Sequence, residues 1–553
     1  MNKHISPKDI VARGQTAGIP LEPFGPIWDS AFFRFSRDSW QTSDLTTFAA
    51  GHVPYVATSN GFQSDAAVEV LLESQRQTGR DGPIKLLEVG SGSGVFAKMF
   101  LDRLRVVAPD VYDRTRYLAT DYSQPLLDSQ DTYEVFAGHP DVVTQLRLDA
   151  NSDWPTMPQV QAFLDGADGF DGIFATYLLD SLPMDYLAIK GAQVWRKDAR
   201  TVVSETSVNA RGLDIDTLQS AVAGGADLST HRAALPHLAL QLKFREIDPS
   251  ETPRADCLMP NDADRAISFI HSYGAIGFLE TALEALKPGA AAIVSDFGSS
   301  DPSEPKQMVS VTVYGDTVAC PVNFLQIDHV FGARAGVSVF APSEGASLPT
   351  RVLTRDSNVD LGALVDDIYG AAREKRLDAP IEKAEALDRA GNFDQVRRLY
   401  MHALDLQPRN WKLINKVVRR LITAGEFQAA IDLADCALVI NPIGEETGGL
   451  RCGATMALGR AAEAREAAEA AVDLDPANVG KHTLLVQAQQ ACGQHREALT
   501  TIAQAFGIDR DGTQTAALQG LQSESIRAIV GDPAQRNRDQ ANRIRYLTDI
   551  WSL

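Results

Sequence analysis

The sequence predicts a Rossmann-like α/β domain followed by an all-α solenoid of helical repeats. Two observations carry this reading. The stretch Ile84–Leu104, IKLLEVGSGSGVFAKMFLDRL, joins a short apolar run to three glycines on alternate positions and then to apolar residues at helical spacing. Farther on, Gly391, Gly425, Gly459 and Gly493 recur every 34 residues, as do Ala403, Ala437, Ala471 and Ala505.

The run Ile84–Val89 reads as a buried strand, and Gly90, Gly92 and Gly94 as a tight turn. Val95, Phe96, Met99, Phe100 and Leu104 then give one apolar helix face that packs back on a sheet. Glycines in such a turn let backbone approach a ligand that a Cβ would hold off. A dinucleotide site asks for G-x-G-x-x-G, but Val95 holds the third glycine position and Glu88 would set a carboxylate against pyrophosphate. S-adenosyl-L-methionine brings an ammonium and a sulfonium instead, which a carboxylate favours. The pattern Glu88-x-Gly90-x-Gly92-x-Gly94 resembles the first motif of class I methyltransferases.

Two later acids fit that cofactor. Arg116–Asp121 reads as a second strand with Asp121 at its carboxyl end, suited to accept from both ribose hydroxyls, with Tyr122 beside it. Gln145–Ala150 reads as a third strand that places Asp149 and Ala150 at the adenine; a helix cap or a solvated loop acid is the other reading of Asp149.

The chain's 553 residues are enough for two or three domains, and 44% hydrophobic with 22% charged residues is a globular composition. No stretch approaches the roughly eighteen apolar residues of a membrane span, and MNKHISPKDIVARG lacks a signal-peptide core. A cytoplasmic protein without membrane association is expected. The five cysteines are scattered without a C-x-x-C pair, so neither a disulfide framework nor a metal site is expected. A net charge of −20 argues against nucleic acid as a partner. It suits a basic protein substrate, or serves solubility alone.

In chain order, residues 1–80 form an N-terminal region on the substrate side. Its aromatic segment includes Trp28, Phe32, Phe33 and Phe35, read as core or as a substrate groove. A helix over Ala66–Gln77 follows, with Ser64 and Asp65 as caps and Gly79 as its stop. Residues 81–356 form the catalytic domain, in which Phe170–Thr176 gives a fourth strand and Tyr177–Pro183 a loop at its carboxyl end, where ligands meet an open α/β sheet.

Here a resemblance becomes specific. ATYLLDSLP resembles the ANELLDALP signature of the MidA-like family, S-adenosylmethionine-dependent protein arginine methyltransferases related to a mitochondrial complex I assembly factor. YLATDYSQPLLDSQ, LKPGAAAIVSDFGSS and CPVNFLQIDHVFGARAGVSVFAPSEG resemble further family segments in the same order, over about residues 50–350. The resemblance implies a methyltransferase with a protein or peptide acceptor and arginine as the family's target. Thr176 and Tyr177 stand where the family has Asn-Glu, leaving Asp180 as the surviving carboxylate of this motif. Asp180 and Tyr177 are the residues expected to orient the nucleophile; a turn cap is the other reading of Asp180.

Residues 200–260 read as an inserted, partly helical cover. His231, His237 and His271 are candidates for proton handling or ordinary core and surface histidines. Residues 357–376 read as a linker. From 377 to 512 the 34-residue period, with Pro408, Pro442 and Pro476 ending each unit, is the tetratricopeptide signature; Arg510 replaces proline in the fourth. Residues 513–553 read as capping helices with a basic patch of Arg536, Arg538, Arg543 and Arg545, or a solvated face.

The expectation is a class I methyltransferase domain fused to repeats that bind the acceptor. Two other readings fit the same residues: an inactive methyltransferase-fold scaffold, and a small-molecule methyltransferase whose repeats mediate assembly, for example as a homodimer.

Overall fold

A computed structural model describes residues 18–49, 60–204, 214–259, 266–300, 311–314, 317–356, 358–389, 393–509 and 512–531. Gly391, Arg510 and the four arginines between Arg536 and Arg545 lie outside them. The chain forms two compact units that divide at Gln407 and Pro408.

The first unit is built on a seven-stranded sheet. Its strands are β1 (Ile84–Val89), β2 (Thr115–Asp121), β3 (Val143–Arg147), β4 (Phe170–Thr176), β5 (Leu286–Ser295), β6 (Val337–Phe340) and β7 (Thr350–Arg355). Their order is β6-β7-β5-β4-β1-β2-β3. Strands β1 to β5 pair in parallel, and β7 runs antiparallel to both β5 and β6. Side chains alternate between two buried faces, as the period of two in a strand requires. Leu87, Val89, Leu118, Ile173, Ala292 and Val294 enter one core cluster. Ile84, Leu86, Tyr117, Ala119, Phe174 and Ile293 enter the other. The chain's path reverses between β1 and β4, which opens a crevice at the carboxyl ends of the strands.

Three helices position that edge: α1 (Ala31–Gln41), α2 (Phe62–Thr78) and α3 (Val95–Val107). The predicted helix Ala66–Gln77 lies within α2. Its N-cap is Gly61 in the left-handed region at φ 72°, so Ser64 and Asp65 sit inside the first turn, while Gly79 at φ 64° closes the helix.

The stretch expected as a partly helical cover carries a helix at Ile215–Ala223 but is organised by a strand, Leu238–Ile247, paired with Gln193–Val203. These two strands belong to a second, five-stranded sheet with Ile19–Pro20, Asp185–Lys190 and Ile267–His271. The expected linker likewise holds a helix, Gly362–Tyr369, whose Val365, Ile368 and Tyr369 are buried in the second core cluster.

The first predicted repeat is the pair Ala371–Arg389 and Phe393–Leu406, which falls in the first unit. The second unit holds three pairs: Trp411–Thr423 with Phe427–Ile440, Glu445–Ala457 with Ala461–Leu474, and Val479–Ala491 with His495–Ile508, followed by Thr515–Gly531. Gly425, Gly459 and Gly493 turn each pair at φ between 72° and 78°, where a side chain would be strained although space is open. Ala437, Ala471 and Ala505 are buried where helices touch. No described helix is long and apolar enough to cross a membrane.

Candidate functional site

Strand β1 ends at Val89, and the chain turns through Gly90, Gly92 and Gly94 at φ 76°, 53° and 74° before entering α3. A Cβ on Gly92 would lie 2.8 Å from Cζ of Phe48. The loop is tied from several sides: Ser91 N–H donates to Thr120 O (2.7 Å), and Gln130 Nε2 donates to Gly92 O (2.7 Å). Asp121 Oδ2 accepts from Gly92 N–H and Oδ1 from Ser123 N–H, both at 3.0 Å. This loop, the carboxyl ends of β1, β2 and β4, and α1 enclose a cavity of about 220 Å³.

The residues expected at the cofactor line that cavity: Glu88, Gly90, Gly92, Asp121, Tyr122, Asp149 and Ala150. Gly94 does not line it; its φ serves the entry into α3, and a Cβ there would meet Phe136 at 2.8 Å. Glu88 is buried, and Tyr117 Oη donates to its Oε2 at 3.1 Å. Burial raises its pKa well above the usual carboxylate range, and Asp121 adds to the rise. Burial also raises Asp121, against the backbone amides that stabilise its charge. Tyr122 Oη accepts from Gln41 Nε2, which fastens the end of α1 to the end of β2. Strand β3 stops at Arg147, short of the predicted Ala150. Asp149 is exposed at the rim, and its Oδ1 accepts from Asn151 N–H at 2.9 Å, the geometry of an Asx turn.

On the other side of β1, Tyr177 follows β4 with φ 55°, an uncommon backbone for a non-glycine residue. Its ring stacks on Phe297 with centroids 4.9 Å apart. Asp180 sits in a short 3-10 turn, Leu179–Ser181, and also lines the cavity. Burial pushes its carboxyl up to about 7, while the Ser181 hydroxyl bonded to Oδ1 at 3.0 Å opposes the rise. Asp296, just past β5, is fully buried and accepts the Asp180 backbone N–H. Burial and the neighbouring Asp180 raise Asp296 well above its ordinary value.

Sequence reasoning overlooked Asp296, although it stands at a strand's carboxyl end as Asp121 does. It also overlooked Arg37, Trp40, Phe48 and Tyr314, which line the cavity from elements outside the sheet. Of the N-terminal aromatics Trp28 lines the cavity, whereas Phe32, Phe33 and Phe35 are core. His231, His237 and His271 do not line it; His271 is buried between Pro253 O and Gln326 Nε2, each at 2.7 Å. No group of three or more His, Cys, Asp or Glu among the described residues could hold a metal ion.

Residues 67–327 match the Methyltransf_28 family, described as "Putative S-adenosyl-L-methionine-dependent methyltransferase". A protein from Burkholderia thailandensis, in a crystal structure bound to S-adenosyl-homocysteine, aligns over 61% of this chain and 77% of its own at 14% identity and TM-score 0.37. A thermophilic TPR protein from Thermus thermophilus aligns over 32% of this chain and 99% of its own at 18% identity and TM-score 0.23. MamA from Desulfovibrio magneticus RS-1 aligns over 26% of this chain and 82% of its own at 18% identity and TM-score 0.24. No curated protein matches the chain. Residues 67–327 thus match the model of a family described as putative S-adenosyl-L-methionine-dependent methyltransferases, and in this chain they are followed by antiparallel helix pairs that repeat every 34 residues.

Proposed function

We propose that this protein methylates a protein or peptide acceptor that its helical repeats recruit. The observation that carries the reading is that one cavity gathers the glycine loop, Glu88 and Asp121 on one side and Asp180 and Tyr177 on the other. The chemistry of the first group fits the cofactor. Gly90 and Gly92 leave backbone open to close approach, with Gly94 completing the turn, and Glu88 offers a carboxyl oxygen whose ionised form a cationic ligand would favour. Each Asp121 oxygen holds one amide and keeps lone-pair capacity for a ribose hydroxyl. Tyr122, Asp149 and Ala150 would close around the adenine. When bound, the cofactor supplies an electrophilic methyl group on a sulfonium.

The remaining work is alignment and proton removal. Asp180, titrating near neutral pH, is suited to take a proton from the acceptor's nucleophile. Tyr177, held flat on Phe297, supports one wall against which the acceptor aligns. An arginine acceptor is compatible with Asp180 as the carboxylate facing its guanidinium, since such a cation needs one nearby to orient it. The acidic chain favours basic acceptors, and stacked repeats supply extended concave binding surfaces.

The test is transfer of labelled methyl from S-adenosyl-L-methionine into size-fractionated extract of the source cell, with Asp121→Ala as control. Label in protein bands that vanishes with the variant is expected. Label confined to small molecules would overturn the protein acceptor, and no label in any fraction would overturn the activity.

A further inference from the structure

Helix α1 faces the cavity with Arg37 and Trp40, three residues apart and so on one side of the helix. The Arg37 guanidinium lies 4.7 Å over the Trp28 ring, and Nη1 donates to Trp28 O at 2.8 Å. Burial lowers its pKa from the ordinary arginine value, while the nearby Asp38 and Asp29 oppose that fall. The Trp40 indole N–H is buried and has no acceptor among the described residues. Buried at that atom, it does not open on the cavity; the Trp40 ring instead forms the wall beside Arg37.

The pair is held in place. Gln41 bonds Tyr122, and the Ser123 hydroxyl donates to Ser43 O at 2.6 Å, which pins the end of α1 to the sheet edge. Trp40 packs on Phe48 with ring centroids 6.4 Å apart, and Phe48 in turn covers Gly92. Among the described residues lining the cavity, Arg37 is the cation, while Glu88, Asp121, Asp149 and Asp180 are acids. Among the described lining side chains, Arg37 is thus the one that attracts an entering anionic group by charge. S-adenosyl-L-methionine carries one such group, the carboxylate of its amino-acid end.

We infer that Arg37, backed by the Trp28 ring, is a carboxylate anchor that holds the amino-acid end of the cofactor opposite the glycine loop. This rests on the cofactor reading of the cavity. A carboxylate on the acceptor would have the same chemistry, and the experiment separates the two sources. It also gives α1, which precedes the matched residues 67–327, a direct part in cofactor binding.

The experiment is calorimetric titration of the full chain with S-adenosyl-homocysteine and with its decarboxylated analogue, for the native protein, Arg37→Met, Arg37→Gln and Arg37→Lys. The native protein should prefer S-adenosyl-homocysteine by about tenfold to a hundredfold, the span of a charge-assisted hydrogen bond. Arg37→Met and Arg37→Gln should each remove that preference and leave the decarboxylated analogue bound within about twofold of native, while Arg37→Lys recovers part of it. Should Arg37→Met not fold, Arg37→Gln and Arg37→Lys carry the same comparison. Equal weakening of both ligands would overturn the anchor. So would unchanged S-adenosyl-homocysteine affinity with a raised KM for the acceptor, which would assign Arg37 to the acceptor. A native protein that binds neither ligand would overturn the cofactor reading itself.

Discussion

The backbone N–H of Asp180 donates to Oδ2 of Asp296 across 3.1 Å, which sets two buried acids close enough to interact at the carboxyl edge of the sheet. Asp296 also accepts the Phe297 N–H at 2.7 Å, which fixes it beneath the turn that carries Asp180. Both groups are pushed upward by burial, Asp180 to about 7. Only Asp180 reaches the cavity. The arrangement holds one carboxyl at the site and places its titration near neutral pH.

If Asp180 receives the acceptor's proton, kcat rises as pH increases through about 7, because the ionised form is the competent one. Asp180→Asn should lower kcat by about 10²- to 10⁴-fold and abolish that limb of the profile. S-adenosyl-homocysteine affinity should stay within about threefold of native, since the role assigned to Asp180 is toward the acceptor. Steady-state rates from pH 5.5 to 9, paired with titrations, check both parts. A pH limb that survives in the Asn variant would remove Asp180 from proton transfer.

Gly92→Ala should fail for two separable reasons. Its φ of 53° is unfavourable for alanine by about 1–2 kcal/mol, and the new methyl would meet Phe48 at 2.8 Å. A fall in Tm of about 2–6 °C and loss of S-adenosyl-homocysteine binding are expected. Adding Phe48→Ala should relieve the contact but not the backbone cost, so the double variant recovers part of either loss. Full recovery would show that φ contributes nothing.

What the sequence disclosed was what local chemistry decides. An apolar run, alternating glycines and a helical apolar face specify strand, turn and helix within 21 residues of Ile84–Leu104. The repeat is likewise legible because each turn needs its own glycine and each helix contact its own small residue. Arg37, Trp40 and Phe48 were hidden because their approach to the loop depends on how α1 docks, through bonds such as that from Gln41 to Tyr122. The second sheet went unread for another reason. Leu238, Leu240, Leu242 and Phe244 do alternate, but an alanine- and leucine-rich run beside AALPHL reads as helix until a partner strand is known. Asp296 gave the same strand-end signal as Asp121, and only its burial beside Asp180 distinguishes it from a solvated acid.

That second sheet supplies a pH-sensitive element of stability. Asp185 is 1% exposed; its Oδ2 accepts from Thr252 Oγ1 at 3.2 Å, and its Oδ1 has no partner among the described residues. Burial raises its pKa to about 7, against the opposing pull of Arg196. A folded-state pKa above the unfolded one gives stability that is complete below about 4 and is lost as pH rises through about 7. Asp185→Asn removes that dependence. Relative to native, the variant should gain on the order of 2 kcal/mol between pH 5 and pH 8 in urea unfolding. A difference between the two proteins that does not change with pH would contradict the raised pKa.

The division of the chain at Gln407 offers a test of what the repeats contribute. The first helix pair stays with the α/β unit, closed by Gln407 Nε2 donating to Leu377 O at 2.8 Å, so a chain ending at Gln407 keeps that pair intact. If the later repeats hold the acceptor, this shortened chain binds S-adenosyl-homocysteine within about threefold of the full protein. Its kcat/KM toward a protein acceptor falls by about 10²-fold or more, because capture no longer raises the acceptor's local concentration. Residues 408–553 added in trans to the full chain should then inhibit competitively by occupying the acceptor. Unchanged kcat/KM in the shortened chain, with no inhibition in trans, would assign the repeats to assembly and leave acceptor choice to the cavity around Asp180 and Tyr177.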